Sequence, residues 1–181
     1  MKPTLLALLF AGLTAAPAEA ALAPGATAPE FTAPAFLAGK PFSFDLDAAL
    51  RKGPVVLYFF PAAHTSGCNL EAHLFAQAAD DFKAEGATVI GVTAGNVDQL
   101  AAFSAETEHC SGRFPVAADP DARIGKLYDS SLAMRPGWTG RTSYVITPDH
   151  KVIFAFDNVF DPAKHVSLTL NAVKAWRSGK P

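Results

Sequence analysis

Apolar residues run without a break from Val55 to Phe60, and again through Val89-Ile90-Gly91-Val92. Runs of this kind predict strands covered on both faces rather than strands with one wet side. The first run stops at Pro61. Beyond a short loop, apolar residues recur at Leu70, Leu74, Ala78 and Phe82, a helical spacing, and Glu85-Gly86 offers that helix an end. Thr88 to Val92 follows as a strand. Asn96 and Gln99 have the spacing of a capping box, for a helix with Leu100 and Phe103 on its inner face that fades near Cys110. Glu30–Leu37 and Pro41–Phe44 flank Ala38-Gly39-Lys40 as a hairpin, and Thr142–Ile146 and Lys151–Phe156 form a second hairpin across Thr147-Pro148-Asp149-His150. Asp161-Pro162 opens a last helix carrying Val166, Leu170, Val173 and Trp176. The order hairpin, βαβα, hairpin, helix predicts an α/β fold, a mixed sheet flanked by helices on both faces.

The first residues follow a different pattern. Lys2 precedes the apolar run Leu5 to Leu13, and Ala18-Glu19-Ala20 places small residues where a signal peptidase reads. The expectation is a secretory signal peptide over 1–20, cleaved after Ala20, and a secreted or periplasmic protein. The run is shorter than the roughly 20 residues a membrane span needs, so no stable membrane insertion is expected. No cysteine follows the cleavage point, which leaves a lipoprotein anchor unsupported. Residues 21–28, rich in Ala and Pro, read as a flexible leader, and 29–181 as one domain. The net charge is −2 and no basic cluster is present, which argues against a nucleic-acid partner. Two cysteines, Cys68 and Cys110, are too few for a disulfide scaffold. Either they form one bridge, or one or both are chemical.

Cys68 has the more informative position. It follows Pro61-Ala62-Ala63-His64-Thr65-Ser66-Gly67, where the buried strand ends and a helix begins. A helix N-terminus presents unpaired N–H groups and the positive end of a dipole, which favour the anionic, reactive form of a thiol.

Pro61, Thr65 and Cys68 stand in the spacing Pro-x-x-x-Thr-x-x-Cys, with Glu71 three residues later. Gly25-Ala26-Thr27-Ala28-Pro29-Glu30-Phe31 supplies an opening motif, and Arg141-Thr142-Ser143-Tyr144-Val145-Ile146 an arginine at the start of a late strand. In these three motifs, in this order, the chain resembles the peroxiredoxins, thioredoxin-fold enzymes that reduce peroxides with a cysteine. The subgroup it most resembles is the bacterioferritin-comigratory, or Q-type, peroxiredoxins. Many of those place a second cysteine five residues after the first, where this chain has His73. Others carry it in the following helix, an arrangement Cys110 fits. Ser66, His64 and the Thr93-Ala94-Gly95-Asn96 loop also depart from the common family pattern.

The resemblance implies a thiol-dependent peroxidase acting on hydrogen peroxide or small organic hydroperoxides. Cys68 would be the peroxidatic nucleophile, Arg141 and Thr65 would face it, Pro61 would wall the pocket, and Glu71 would orient a basic group. Cys110 would be the resolving thiol, giving a Cys68–Cys110 disulfide that an exported thioredoxin-like reductant reopens. No cofactor and no metal are expected, and the chain is expected to be a monomer. Thiol acidity alone cannot account for such catalysis. Lowering a cysteine pKa from about 8.5 to about 6 raises the thiolate fraction at pH 7 roughly thirtyfold. The accompanying loss of nucleophilicity, with a Brønsted coefficient of about 0.4–0.5, takes back roughly tenfold. Positioning and charge stabilisation on the separating oxygens must supply the rest.

Other readings remain. Cys68 could be inert, Cys110 a static partner, Thr65 a plain helix cap and Arg141 a surface charge. A metal site of His64, Cys68 and His73 is disfavoured, because spacings of four and five do not share one helix face. Phe59, Phe60, Trp138 and Trp176 read as core or pocket wall. An exported thiol-disulfide oxidoreductase would need Cys-x-x-Cys, where this chain has Thr65-Ser66-Gly67-Cys68. A non-enzymatic thioredoxin-fold binding module would need none of Pro61, Thr65, Cys68 and Arg141 together.

Overall fold

The computed structural model describes residues 21–132 and 134–179, so the expected signal peptide over 1–20 lies outside the described residues. Seven strands form one mixed sheet in the order β2-β1-β5-β4-β3-β6-β7. They are β1 (Thr32–Leu37), β2 (Lys40–Asp45), β3 (Val55–Phe59), β4 (Thr88–Thr93), β5 (Val116–Ala118), β6 (Thr142–Ile146) and β7 (Val152–Asp157). The helices are α1 (Leu46–Leu50), α2 (Ser66–Gln77), α3 (Ala79–Ala84), α4 (Leu100–Ala105), α5 (Arg123–Leu127) and α6 (Pro162–Arg177).

Central β3 shows why the apolar runs are continuous. Successive side chains of a strand point to opposite faces. Val55, Leu57 and Phe59 enter one apolar cluster with Leu46 and Leu50 of α1 and Ile124 of α5. Val56 and Tyr58 enter a second, with Phe75 of α2, Phe82 of α3, Phe103 of α4 and Val173 of α6. Both faces are covered, which is the α/β thioredoxin-like architecture expected.

The register of β3 positions the site. β3 pairs in parallel with β4, Phe59 opposite Val92, and antiparallel with β6, Phe59 opposite Thr142. The loop after β3, the loop after β4 and the residue before β6 therefore meet at one end of the sheet, beyond the carboxyl ends of the parallel strands.

Several local expectations need correction. Residues 21–28 are not a free leader: the Gly25 amide donates to the Val152 carbonyl at 2.7 Å, and Ala28 is buried. The helix expected from Cys68 to Glu85 is two, because the chain breaks at Ala78 between α2 and α3. Asn96 forms no capping box. Its backbone is left-handed (φ 53°), and its side chain reaches Ala63 instead. α4 ends at Ala105, so Cys110 lies in the turns that follow it and not in a helix. Trp176 is 40% exposed rather than core. The final helix does open as expected, with Pro162 in its first turn and the Asp161 carboxylate accepting from the Lys164 amide.

Candidate active site

The loop between β3 and α2 is held by its carbonyls. Four in succession each accept one side-chain hydrogen bond. Thr139 Oγ1 donates to the Phe60 carbonyl at 2.6 Å and Thr93 Oγ1 to that of Pro61 at 3.0 Å. Thr65 Oγ1 donates to the Ala62 carbonyl at 3.0 Å, and Asn96 Nδ2 to that of Ala63 at 2.9 Å. The loop after β4 leaves no slack either: a Cβ on Gly95 would lie 2.3 Å from the Pro61 carbonyl oxygen, so only glycine allows the approach. Half-buried Pro61 has no N–H to satisfy, which suits a residue walled in this way.

Thr65 is the N-cap of α2, yet its side chain makes no capping bond, because its proton is committed to Ala62. The hydroxyl oxygen keeps lone pairs that can accept a proton donor. Cys68 is the third residue of α2, inside the first turn where backbone N–H groups lack helical partners, and it is 2% exposed.

Arg141 comes to Cys68 from the start of β6. Its side chain is buried, and all three nitrogens are engaged. Nη2 donates to Cys68 Sγ at 3.5 Å, Nε donates to the Val159 carbonyl at 3.0 Å, and Nη1 donates to Glu71 Oε2. Glu71, one turn beyond Cys68 on α2, is the residue expected to orient a basic group, and it holds this guanidinium. Gly67 gives the guanidinium room: a Cβ there would lie 3.0 Å from Arg141 Nη2. Burial works against the Arg141 charge, but Glu71 and Cys68 outweigh it and hold the guanidinium above its ordinary value.

A second layer lies behind Glu71. Its carboxyl is fully buried; Oε1 has no hydrogen-bond partner among the described residues and sits 3.8 Å from His165 Nδ1. Burial pushes this carboxyl up to about 8 against the pull of Arg141. The direction follows from desolvation, which disfavours the charged form of a carboxyl by more than one neighbouring guanidinium recovers. His165 Nε2 faces the Asn158 carbonyl at 2.9 Å, which fixes it as the donor, and Nδ1 then accepts from Ser143 Oγ at 2.8 Å. Burial pushes His165 down to about 4, so it is neutral at pH 7.

Cys110 is fully buried in the same apolar cluster as Cys68, and both thiols are free. Burial, with the Glu106 charge adding to it, pushes the Cys110 thiol up. The structure thus joins Cys68, Thr65, Pro61 and Arg141 at one end of the sheet and leaves Cys110 unbonded to Cys68. Sequence reading missed Thr93, Asn96, Thr139, Ser143 and His165 as members of the site. The Thr93-to-Asn96 loop was the one available signal, since it stood out as a departure from the family pattern.

The pattern of the AhpC/TSA family matches residues 24–155, from the opening motif into β7. The chain belongs to the AhpC/TSA family. It is 31% identical over 140 residues to a putative peroxiredoxin of Mycobacterium tuberculosis, covering 74% of this chain and 86% of that one. It is also 31% identical to the chloroplastic peroxiredoxin Q of Triticum aestivum over 67% of this chain, which spans 54% of that relative, little more than half its length. Among solved structures, the peroxidoxin BcpB of Mycobacterium tuberculosis superposes with a TM-score of 0.73 at 27% identity, covering 84% of this chain and 96% of that chain. A reduced 2-Cys peroxiredoxin of Plasmodium vivax, at 20% identity and a TM-score of 0.76, shares the fold. These likenesses make the chain a Q-type peroxiredoxin.

Proposed function

We propose that this peroxiredoxin is an exported thiol peroxidase that reduces hydrogen peroxide and small organic hydroperoxides. One observation carries the reading: the Cys68 sulfur lies at a helix N-terminus, 3.5 Å from a buried guanidinium, behind a loop whose carbonyls at residues 60–63 each accept a side-chain hydrogen bond. The Cys68 thiolate attacks one peroxide oxygen. The S–O bond forms as the O–O bond breaks, and the electron pair leaves on the second oxygen, which takes a proton and departs as water or alcohol. Arg141 and the N–H groups of α2 stabilise charge on the parting oxygens, and the Thr65 oxygen accepts from the peroxide proton. Cys68 ends as a sulfenic acid, oxidised by two electrons, and the peroxide is reduced by two.

Cys110 is the resolving thiol in this reading. Its sulfur attacks the sulfenic sulfur, the S–O bond breaks, water leaves with the Cys110 proton, and a Cys68–Cys110 disulfide forms. Both thiols are buried, so the first turn of α2 or the turns around Cys110 must open, which also lifts the burial that keeps Cys110 protonated. A thioredoxin-like dithiol in the same compartment restores the thiols. Export rests on the Leu5–Leu13 run and Ala18-Glu19-Ala20. Among the described residues no helix is long and apolar enough to cross a membrane. A monomer is favoured because no cysteine follows Cys110 to bridge a partner.

The test is intact mass of reduced protein before and after one equivalent of hydrogen peroxide, with wild type beside Cys110→Ser. Loss of two hydrogens in wild type and a trappable sulfenic acid in the variant are expected. Oxygen gain without a bridge in wild type would remove Cys110 from the resolving role. No reaction within minutes would remove the peroxidase reading.

A further inference from the structure

His64, Glu106 and His109 converge next to the Cys68 loop from two separate stretches of chain. His64 Nε2 is 2.9 Å from Glu106 Oε2, and His109 Nδ1 is 2.8 Å from the same oxygen. All three donor atoms lie within 4.8 Å of one another. The two imidazoles are set by one phenyl ring: His109 stacks on Phe103 at 4.9 Å between centroids, and His64 meets that ring edge-on at 5.4 Å. Gln99 Oε1 lies 2.7 Å from His64 Nδ1. An amide oxygen there accepts from Nδ1–H, as the outer partner of a metal-bound histidine does; without metal Nε2 donates to Glu106, and a metal would take that proton's place.

Hydrogen bonding explains only part of this cluster. His64 is satisfied by Gln99 and Glu106. His109 is 8% exposed, and its Nδ1 stands 2.8 Å from the same Glu106 oxygen, without good hydrogen-bond geometry to any described residue. One carboxylate oxygen is thus shared by two imidazole nitrogens, and the buried one is the less well bonded. We propose that His64 Nε2, His109 Nδ1 and Glu106 Oε2 bind a divalent transition metal of the zinc class, with a fourth position open to water. Two imidazoles and a carboxylate are zinc's ligand chemistry, whereas magnesium and calcium take oxygen donors. Ligands at about 2.1 Å from a tetrahedral zinc stand about 3.4 Å apart, so the 2.8 and 2.9 Å separations to Glu106 would open by about half an ångström on binding. His64 and Glu106 are exposed, so the site has an entry path.

The metal would tie the loop four residues ahead of Cys68 to the turn that carries Cys110, the neighbour of His109. A loaded site holds both segments in their reduced arrangement and slows closure of the bridge. That consequence rests on Cys110 as the resolving thiol; the binding does not.

Calorimetric titration of zinc into tag-free chain carrying Cys68→Ser and Cys110→Ser tests the site without thiol ligands. One equivalent bound at micromolar affinity or better is expected. Adding His64→Gln or Glu106→Gln, both at exposed positions, should weaken binding by about tenfold or more, with circular dichroism checking the fold. No zinc binding in the thiol-free chain, or binding that neither added substitution weakens, overturns the proposal. Stopped-flow oxidation of wild type with and without zinc reads the consequence separately. If zinc binds as expected but wild type forms no disulfide under peroxide, the Cys110 assignment fails and the metal site stands.

Discussion

Replacing Glu71 by Gln isolates one buried titration. The folded chain holds the Glu71 proton up to about pH 8, whereas an unfolded glutamate releases it near 4.5. Between those values the native state binds more protons than the unfolded state, so stability falls as pH rises. Each unit of separation is worth about 1.4 kcal/mol, so the whole effect is about 5 kcal/mol, of which about 3–4 kcal/mol falls between pH 5 and pH 8. Gln keeps an oxygen for Arg141 Nη1 but cannot ionise. Urea denaturation of both proteins across that range should therefore show wild type losing about 3–4 kcal/mol more than Glu71→Gln, with stability of the variant nearly flat above pH 6.5. His165 titrates at lower pH, is common to both proteins and cancels in the difference. Parallel curves would mean that Glu71 stays ionised beside Arg141 throughout, and that burial does not outweigh the guanidinium at this carboxyl.

Three further outcomes follow from neighbouring contacts. Gly67→Ala adds a Cβ 3.0 Å from Arg141 Nη2; the helix should gain up to about 1 kcal/mol while peroxide consumption falls about tenfold, and a variant as active as wild type would show that the guanidinium position is not critical. His165 is neutral in the fold down to about pH 4, so wild type should lose about 3 kcal/mol more than His165→Gln between pH 7 and pH 4, read by urea denaturation, with equal losses counting against a buried neutral imidazole. Tyr58 is 1% exposed, its hydroxyl has no partner among the described residues, and its ring stacks on Phe75 at 4.4 Å; Tyr58→Phe should raise stability by about 1–2 kcal/mol at unchanged m-value, and a lower urea midpoint would reveal a bond to that hydroxyl.

The long elements were legible because their signals are local. The alternating faces of β3, both hairpins and the proline-led α6 lie within windows that a periodic pattern can fill. α1, β5 and α5 were not read, and each is three to five residues long, too short for a period to show. The Asn96–Gln99 spacing pointed to a capping box, but tertiary bonds claimed both side chains, one for Ala63 and one for His64. Cys68, Thr65 and Arg141 could be named through motif spacing. The residues behind them could not, because Thr139 reaches Phe60 across 79 positions and His165 reaches Ser143 across 22, distances that only the folded register of β3, β4 and β6 closes. The same limit hid Glu106 from the histidine cluster, since the spacing argument considered one helix at a time.

The four tied carbonyls of residues 60–63 also make a mechanical statement. Two of the bonds come from the β4 end and its loop and one from Thr139, so this stretch is fastened to the sheet. Only the bond at Ala62 comes from the residue that begins α2. An opening of the first turn of α2, as the proposed disulfide requires if the Cys110 turns stay closed, would therefore pivot at Thr65: the chain ahead of it would stay anchored, and Cys68 would swing on a short arm of fixed length.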